Sequence, residues 1–283
     1  MKFLSTSDIH QSSDNWPLLV KAVQEEKPDF VIIAGDLFPK DDGILAQVKY
    51  LPAIREYAFE IKDAGSELIL ILGNDDNQLL IPEMEKGDAE GLWHYVADRV
   101  KEVKGYEFCG CPWVKDFPFG YKYWVAPETA EDLSISAFQL DNPLIIDADN
   151  NLQVVDDLQS YLAEKKPIAE SLNETASQVK NISESIWLIH GPPANMELDV
   201  CGSGDKVGSL AVYNFLRESQ PLLSVHGHIH EAPEHNGYKL FHKLGQTVCL
   251  QAGQLEGDIY YVTFDVDKNS GLNNLTHSVY GTL

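Results

Sequence analysis

Short apolar segments that alternate with helical patterns constrain the fold of this chain most strongly. Continuous apolar runs at residues 30–34 and 68–72 are typical of strands buried on both faces of a parallel sheet. Further strands are predicted at residues 3–7, 106–111, 185–189 and 221–225. Helices are predicted from Trp16 to about Pro28 and at about 45–64, 93–100, 156–163, 169–179 and 207–217. The alternation of the two patterns predicts an α/β fold.

The end of the chain has a different pattern. Strands at about 238–242, 247–251 and 259–265 follow one another without helices, which predicts a second sheet packed on the first. The chain has 283 residues, 44% of them hydrophobic, which is enough for a sizeable core. We therefore predict one domain over residues 1–283, with a less regular, variable insertion at about 113–185.

Polar residues with metal-binding side chains follow the predicted strands. The carboxyl ends of strands are where α/β folds place their sites. In chain order these residues are Asp8, His10, Asp36, Asn74, His190, His228 and His230. One divalent ion needs about four to six such nitrogen or oxygen ligands, so that seven groups suit two ions. Two ions can hold a hydroxide between them and clamp a phosphoryl group.

The composition limits the classes of partner. Lys and Arg total 21 against 44 Asp and Glu, a net charge of −23, which opposes binding to nucleic acids and anionic lipids, although solubility alone would also explain it. No apolar run approaches the ~20 residues of a membrane span. The four cysteines have no zinc-knuckle or redox spacing, which favours reduced thiols in a cytoplasmic protein. The sequence leaves the oligomeric state open.

Several other residues have two interpretations. The aromatic residues between Trp113 and Trp124 form either core packing or a wall that faces the substrate. We expect His226 to be structural, His94 and His235 to lie at the surface, and Asp76 to orient a ligand or cap a turn.

Five ordered motifs resemble those of the calcineurin-like metallophosphoesterases, and the combination of residues 190–193, 207–209 and 226–231 resembles most closely the branch of Icc-related predicted phosphoesterases. The motifs are Asp8-x-His10, Gly35-Asp36, Gly73-Asn74, His190 and Gly227-His228-x-His230. The resemblance implies a two-sheet β-sandwich flanked by helices, the four-layer α/β/β/α metallophosphoesterase fold. It also implies two divalent ions, usually manganese, iron or zinc. One would be held by Asp8, His10, Asp36 and His230, and the other by Asp36, Asn74, His190 and His228, with Asp36 bridging.

One position departs from the pattern of the family. Many members have a histidine after Gly-Asn that contacts the phosphate, and here that residue is Asp75. We take Asp36 and Asp75 as candidate catalytic residues, and whether Asp75 acts as an acid stays open. Asn74, Asp199 and Ser209 are candidate substrate contacts.

These observations predict a cytoplasmic hydrolase that cleaves a small phosphoester with a hydroxide bridging two metals. A phosphodiester is favoured over a phosphomonoester, because the loss of the histidine matters less for a good leaving group. The alternatives are a phosphomonoesterase and a non-catalytic scaffold that keeps the fold and the metals. A nuclease is disfavoured by the net charge of −23.

Overall fold

The computed structural model describes residues 1–136, 142–255, 257–267 and 271–282. Its strands are, in chain order, β1 (Lys2–Thr6), β2 (Phe30–Ala34), β3 (Glu67–Ile71), β4 (His94–Tyr95), β5 (Val100–Val103), β6 (Tyr106–Cys111), β7 (Leu144–Ile146), β8 (Leu152–Val154), β9 (Ile186–Ile189), β10 (Leu223–His226), β11 (Phe241–Leu244), β12 (Thr247–Gln251), β13 (Val262–Asp267), β14 (Gly271–His277) and β15 (Gly281–Thr282). Its α-helices are α1 (Asn15–Glu26), α2 (Leu51–Asp63), α3 (Ile81–Ala89), α4 (Leu158–Ala163), α5 (Ile168–Ala176), α6 (Leu210–Ser219) and α7 (Ala232–His235).

The strands form two large sheets. The first has the order β15-β14-β13-β1-β2-β3-β4, and its strands β1 to β4 are parallel. The second has the order β11-β12-β10-β9-β6-β5, with β12, β10, β9 and β6 parallel. The parallel strands of each sheet therefore end together at one edge, as the apolar runs predict.

Aromatic side chains pack between the two sheets. Phe3 of β1 stacks on Phe30 of β2, with ring centroids 4.8 Å apart, and Phe30 lies 5.1 Å from Phe108 of β6 in the other sheet. Helix α1 packs beside α2 over the first sheet, while α6 places Phe215 against Trp187 on the outer face of the second. The structure thus confirms the predicted α/β fold with two sheets flanked by helices.

Two predictions of secondary structure were wrong. The predicted helix at 93–100 is instead β4, a turn and the start of β5. Val96 donates a backbone hydrogen bond to Leu70 of the sheet, and Asp98 has a φ of 50°, which no α-helix accommodates.

The last predicted strand, at 259–265, forms as β13 but pairs antiparallel with β1 in the first sheet, where Phe264 stacks on Phe3. The tail therefore contributes to both sheets.

The predicted insertion at about 113–185 has little regular structure. The described part of it contains the hairpin β7–β8 and the helices α4 and α5. Residues 137–141 of the predicted insertion lie outside the described residues. Among the described residues, no helix has the length and apolarity needed to cross a bilayer.

Candidate metal centre

The polar residues predicted from the strand ends converge at the shared edge of the two sheets. Asp36 follows β2 and Asn74 follows β3, while His190 follows β9 in the other sheet. The ring of His190 crosses to the first sheet, where Nδ1 lies 2.8 Å from the carbonyl oxygen of Ala34. This hydrogen bond leaves Nε2 of His190 directed at the polar cluster.

Four of these side chains form a compact group, and three of them are buried. Each of Asp8, His10, Asp36 and His230 offers one ligand atom, and the four atoms lie within 4.8 Å of one another. Nδ1 of His10 lies 3.4 Å from Oδ2 of Asp36, and Nε2 of His230 lies 3.4 Å from Oδ1 of Asp8. Such a set of carboxylates and imidazoles suits a divalent transition metal.

A second group lies beside the first and shares Asp36 with it. The Asn74 side-chain oxygen lies 2.8 Å from Nε2 of His190 and 2.6 Å from Nδ1 of His228. Nε2 of His190 is also 3.3 Å from Oδ2 of Asp36. All seven side chains predicted as ligands are therefore brought together, and Asp36 lies between the two groups.

Several ligand atoms in the cluster are buried without a hydrogen-bond partner. Both ring nitrogens of His10 and Oδ2 of Asp36 are in this state. An unpaired buried polar atom costs about 1–3 kcal/mol, and a bound cation would satisfy Oδ2 of Asp36 and the one nitrogen of His10 that carries a lone pair. The residues present therefore fit a metal ion.

The electrostatics of the cluster favour a bound cation as well. Burial lowers the pKa of His10 and of His228 to about 4, so that both imidazoles are neutral and keep a lone pair for a metal. Burial also opposes the charged form of His190, yet the charges of Asp36 and Asp8 raise its pKa to about 10. The two buried carboxylates thus attract positive charge, which a divalent ion would supply.

The backbone at the site is strained. Three residues of the site have a positive φ: Asp8 (57°), Asp36 (57°) and His228 (72°). These values lie in the left-handed region, which costs a residue other than glycine about 1–3 kcal/mol. Each of the three residues follows a different parallel strand. Strain that recurs at three strand ends is typical of a functional site.

Asp76 connects the two loops that carry Asp36 and Asn74. Its carboxylate accepts hydrogen bonds from the backbone N–H groups of Leu37 (2.9 Å), Phe38 (2.9 Å) and Gly73 (2.8 Å). Asp76 therefore positions the neighbouring ligands, one of the two roles expected for it.

Asp75 lies at the edge of the site. Its backbone N–H donates to Oδ1 of Asp36 at 2.8 Å, and its Oδ2 is 3.6 Å from Nε2 of His10. The same oxygen accepts a hydrogen bond from Nζ of Lys40 at 2.5 Å. Sequence reasoning missed Lys40, although its position four residues after Asp36 on the same loop was a signal.

The other predicted residues of the site have local partners. Asp199 accepts a hydrogen bond from the backbone of Gly208 at 2.8 Å, and Ser209 caps α6 and donates to Glu128 at 3.2 Å. Both side chains are buried, and contact with a substrate stays a prediction for them. The His226 ring contacts the carbonyl oxygen of Ile189 and the hydroxyl of Ser224, each at 2.9 Å, in keeping with a structural role.

One of the two roles considered for the aromatic segment of the insertion, core packing, is confirmed for Trp124, while a wall that faces the substrate stays a prediction. Trp124 is buried and donates to the backbone of Asp76 at 2.6 Å. Phe117 and Phe119 are half-buried and present their rings edge-on to His228, at centroid distances of 6.2 and 5.7 Å. Phe117 also lines a cavity of about 690 Å³. Part of the segment is thus core, and part borders the candidate metal centre.

The two-sheet α/β fold and the ligand side chains at its strand ends are those of a candidate metal-binding protein. The family model of the calcineurin-like phosphoesterases matches residues 1–232, and the chain belongs to that family. The family depends on divalent metals.

Solved structures share the fold at low sequence identity. One crystal structure has a TM-score of 0.59 and 16% identity, with 96% of this chain and 97% of the other covered. The protein TT1561 of Thermus thermophilus has a TM-score of 0.56 and 16% identity, with 96% of each chain covered. No curated protein sequence matches the chain.

Proposed function

We propose that this chain hydrolyses a phosphoester with two divalent metal ions. The proposal rests chiefly on buried atoms that have no hydrogen-bond partner at the candidate centre, Oδ2 of Asp36 and the His10 ring, which offers one ligand nitrogen. Oδ2 of Asp36 lies 3.4 Å from Nδ1 of His10 and 3.3 Å from Nε2 of His190. Asp36 is therefore close enough to both groups of ligands to belong to each. This arrangement supports two ions, with Asp36 bridging.

The predicted side chains would hold two metal ions and contact the phosphoryl group. Divalent ions, when bound, lower the pKa of a water nucleophile and neutralise charge on the phosphoryl group. One ion would be held by Asp8, His10, Asp36 and His230, and the other by Asp36, Asn74, His190 and His228. Because the side-chain oxygen of Asn74 is directed at two histidines, its amide N–H group is left to donate to a phosphoryl oxygen. Manganese, iron and zinc all suit these ligands.

A phosphodiester with a good leaving group is the favoured substrate. At the position where related enzymes commonly have a histidine, Asp75 is ion-paired with Lys40. A paired carboxylate has no proton to donate to a leaving group, so that esters with good leaving groups tolerate this residue best. The same observation favours a second candidate, a non-catalytic scaffold that keeps the fold and the metals.

A phosphoester panel tests the proposal. Manganese-loaded protein is assayed on aryl phosphodiesters and aryl phosphomonoesters. We expect diester turnover that Asp36→Asn and His190→Ala abolish, since each removes a predicted ligand. Asp42→Asn is the matched control, because Asp42 pairs with Lys49 on the surface. Faster monoester turnover would overturn the diester preference, and metal-loaded protein without turnover on any ester would favour the scaffold.

We also propose that the protein acts in the cytoplasm on a small molecule. The four cysteines are buried and free, as in a reducing compartment. The net charge of −23 opposes a nucleic acid as the substrate.

A further inference from the structure

We propose that Lys40 is a substrate-binding residue whose ammonium group leaves Asp75 and contacts a phosphoryl oxygen of the substrate. The inference rests on the proposed phosphoesterase function and adds the residue that recognises the negative charge of the substrate.

The backbone places Lys40 next to the candidate metal ligands. Its N–H donates to the carbonyl oxygen of His10 at 3.1 Å, which ties the loop after β2 to the segment after β1. Its carbonyl oxygen accepts from Gly43 at 2.9 Å, which closes a turn. The Lys40 side chain therefore starts from a fixed position beside the site.

The Lys40 ammonium group is separated from the metal ligands by a single carboxylate. Nζ of Lys40 lies 2.5 Å from Oδ2 of Asp75, and the same oxygen lies 3.6 Å from Nε2 of His10. The backbone of Asp75 is anchored to Asp36 at 2.8 Å. The Lys40 ammonium group therefore lies close enough to the metal ligands to turn from this anchored carboxylate to a phosphoryl oxygen bound beside them.

The pair lies at the mouth of the site. The side chains of Lys40 and Asp75 are 38% and 24% exposed, whereas those of His10 and Asp36 are 0% and 1% exposed. An incoming phosphoester would thus meet the Lys40–Asp75 pair and His230, which is 22% exposed, before it reaches the buried His10 and Asp36. Because the pair is partly hydrated, exchanging one anionic oxygen for another costs less than breaking a buried ion pair.

A local cation is needed in a chain of this charge. The net charge of −23 repels an anionic substrate, and Asp75 adds a carboxylate at the entrance. The ammonium group of Lys40 supplies a cation at this entrance, where it lies 2.5 Å from Oδ2 of Asp75. Lysine is a common phosphate ligand in proteins and acts as a point charge.

Phosphate binding tests the inference directly. Orthophosphate is titrated into manganese-loaded protein by calorimetry, and KM and kcat are measured on an aryl phosphodiester. We expect Lys40→Met to weaken phosphate binding by roughly tenfold and to raise KM more than it lowers kcat, with unchanged metal content. Lys40→Arg should keep most of the affinity. Lys49→Met is the matched control, because Lys49 pairs with Asp42 away from the site.

A double variant separates substrate contact from simple charge balance. If Lys40 only neutralises Asp75, Lys40→Met combined with Asp75→Asn restores the phosphate affinity of the wild type. A direct contact predicts that the double variant stays weak. Restored affinity, an unchanged affinity in Lys40→Met, or a metal-loaded wild type that binds no phosphate would each overturn the inference. Failure of the proposed function looks different, since the wild type would then bind no metal or turn over no ester.

Discussion

At the residue scale, Gly73 allows Asp36 and His190 to approach each other. A Cβ atom at Gly73 would lie 2.4 Å from Oδ1 of Asp36, 2.6 Å from its backbone nitrogen and 2.7 Å from the His190 ring. Two of these three atoms belong to predicted metal-ligating side chains, and the third is backbone that cannot move freely. Glycine at this position is therefore a requirement of the site.

Gly73→Ala should displace Asp36 and His190. We expect the metal content to fall and the free energy of unfolding to drop by about 1–3 kcal/mol, because the added methyl group overpacks the site. Elemental analysis and urea unfolding check the two effects. Gly191→Ala is the control, since its Cβ would have no neighbour closer than 3.5 Å. Full metal content in Gly73→Ala would contradict this interpretation.

Residues of the site that follow a strand could be predicted from the sequence, whereas residues that act through a distant contact could not. Asp8, Asp36 and His190 follow apolar strands, so that a local pattern indicates both their position and their direction. Lys40 acts through a contact with Asp75, 35 residues away in sequence, which no local pattern records. The partners of Asp199 could not be predicted either, because they depend on how the loops after β9 fold.

At the element scale, a buried ion pair supports the aromatic segment next to the candidate metal centre. Nζ of Lys122 lies 2.8 Å from Oδ1 of Asp116 and 2.8 Å from the carbonyl oxygen of Phe117. The two charged side chains are 0% and 1% exposed. The ammonium group also lies 4.7 Å from the centroid of the Phe119 ring, which borders His228.

Lys122→Met should leave the Asp116 carboxylate buried without its cation. Removing one partner of a buried pair typically costs about 3–5 kcal/mol, and we expect a loss of this size in urea unfolding. Adding Asp116→Leu to that variant should recover most of the loss, because no unpaired charge remains. A single variant as stable as the wild type would show that the pair does not support this segment.

The His277 ring in β14 is held in one neutral form. Its Nε2 donates to the carbonyl oxygen of Ala252 at 3.0 Å, while Nδ1 accepts from the backbone N–H groups of Val279 at 3.1 Å and Tyr280 at 3.2 Å. Burial lowers the pKa of His277 below its ordinary value of 6.5, although the hydrogen bond to Ala252 opposes that shift.

Acid should therefore weaken the fold through His277. The unfolded chain takes up the proton near pH 6.5 and the folded chain only at lower pH, so that stability falls as the pH drops below 6.5. One such proton contributes at most about 1.4 kcal/mol per pH unit. Urea unfolding at about pH 7.5 and 5.5 should show a smaller loss for His277→Gln than for the wild type. Equal losses would contradict the assignment.

The elements that sequence reasoning predicted correctly are those with continuous apolar runs. Strands β2, β3, β9 and β10 form close to their predicted positions, because burial on both faces leaves a strong pattern. The segment at 93–100 has helical spacing, yet its apolar residues are buried by pairing with the sheet. The structure of this segment is therefore determined by its tertiary contacts, and the periodicity of its sequence does not determine it.

At the scale of the whole molecule, the candidate site joins the two sheets. Asp8, Asp36 and Asn74 come from the first sheet, whereas His190 and His228 come from the second. The backbone N–H of His228 donates to both carboxylate oxygens of Asp8, at 2.9 and 3.1 Å, across the two sheets. The sandwich and the site therefore depend on each other. The pairing of β13 with β1 could not be predicted, since the two are far apart in sequence and either sheet could accept the strand.

The metal content of the purified chain tests the central claim most directly. Protein is saturated with manganese, freed of excess ion and measured by elemental analysis beside Asp36→Ala. Two groups of ligands that share Asp36 predict about two ions per chain in the wild type and a clear loss in the variant. Less than one ion per chain in the saturated wild type would contradict the account.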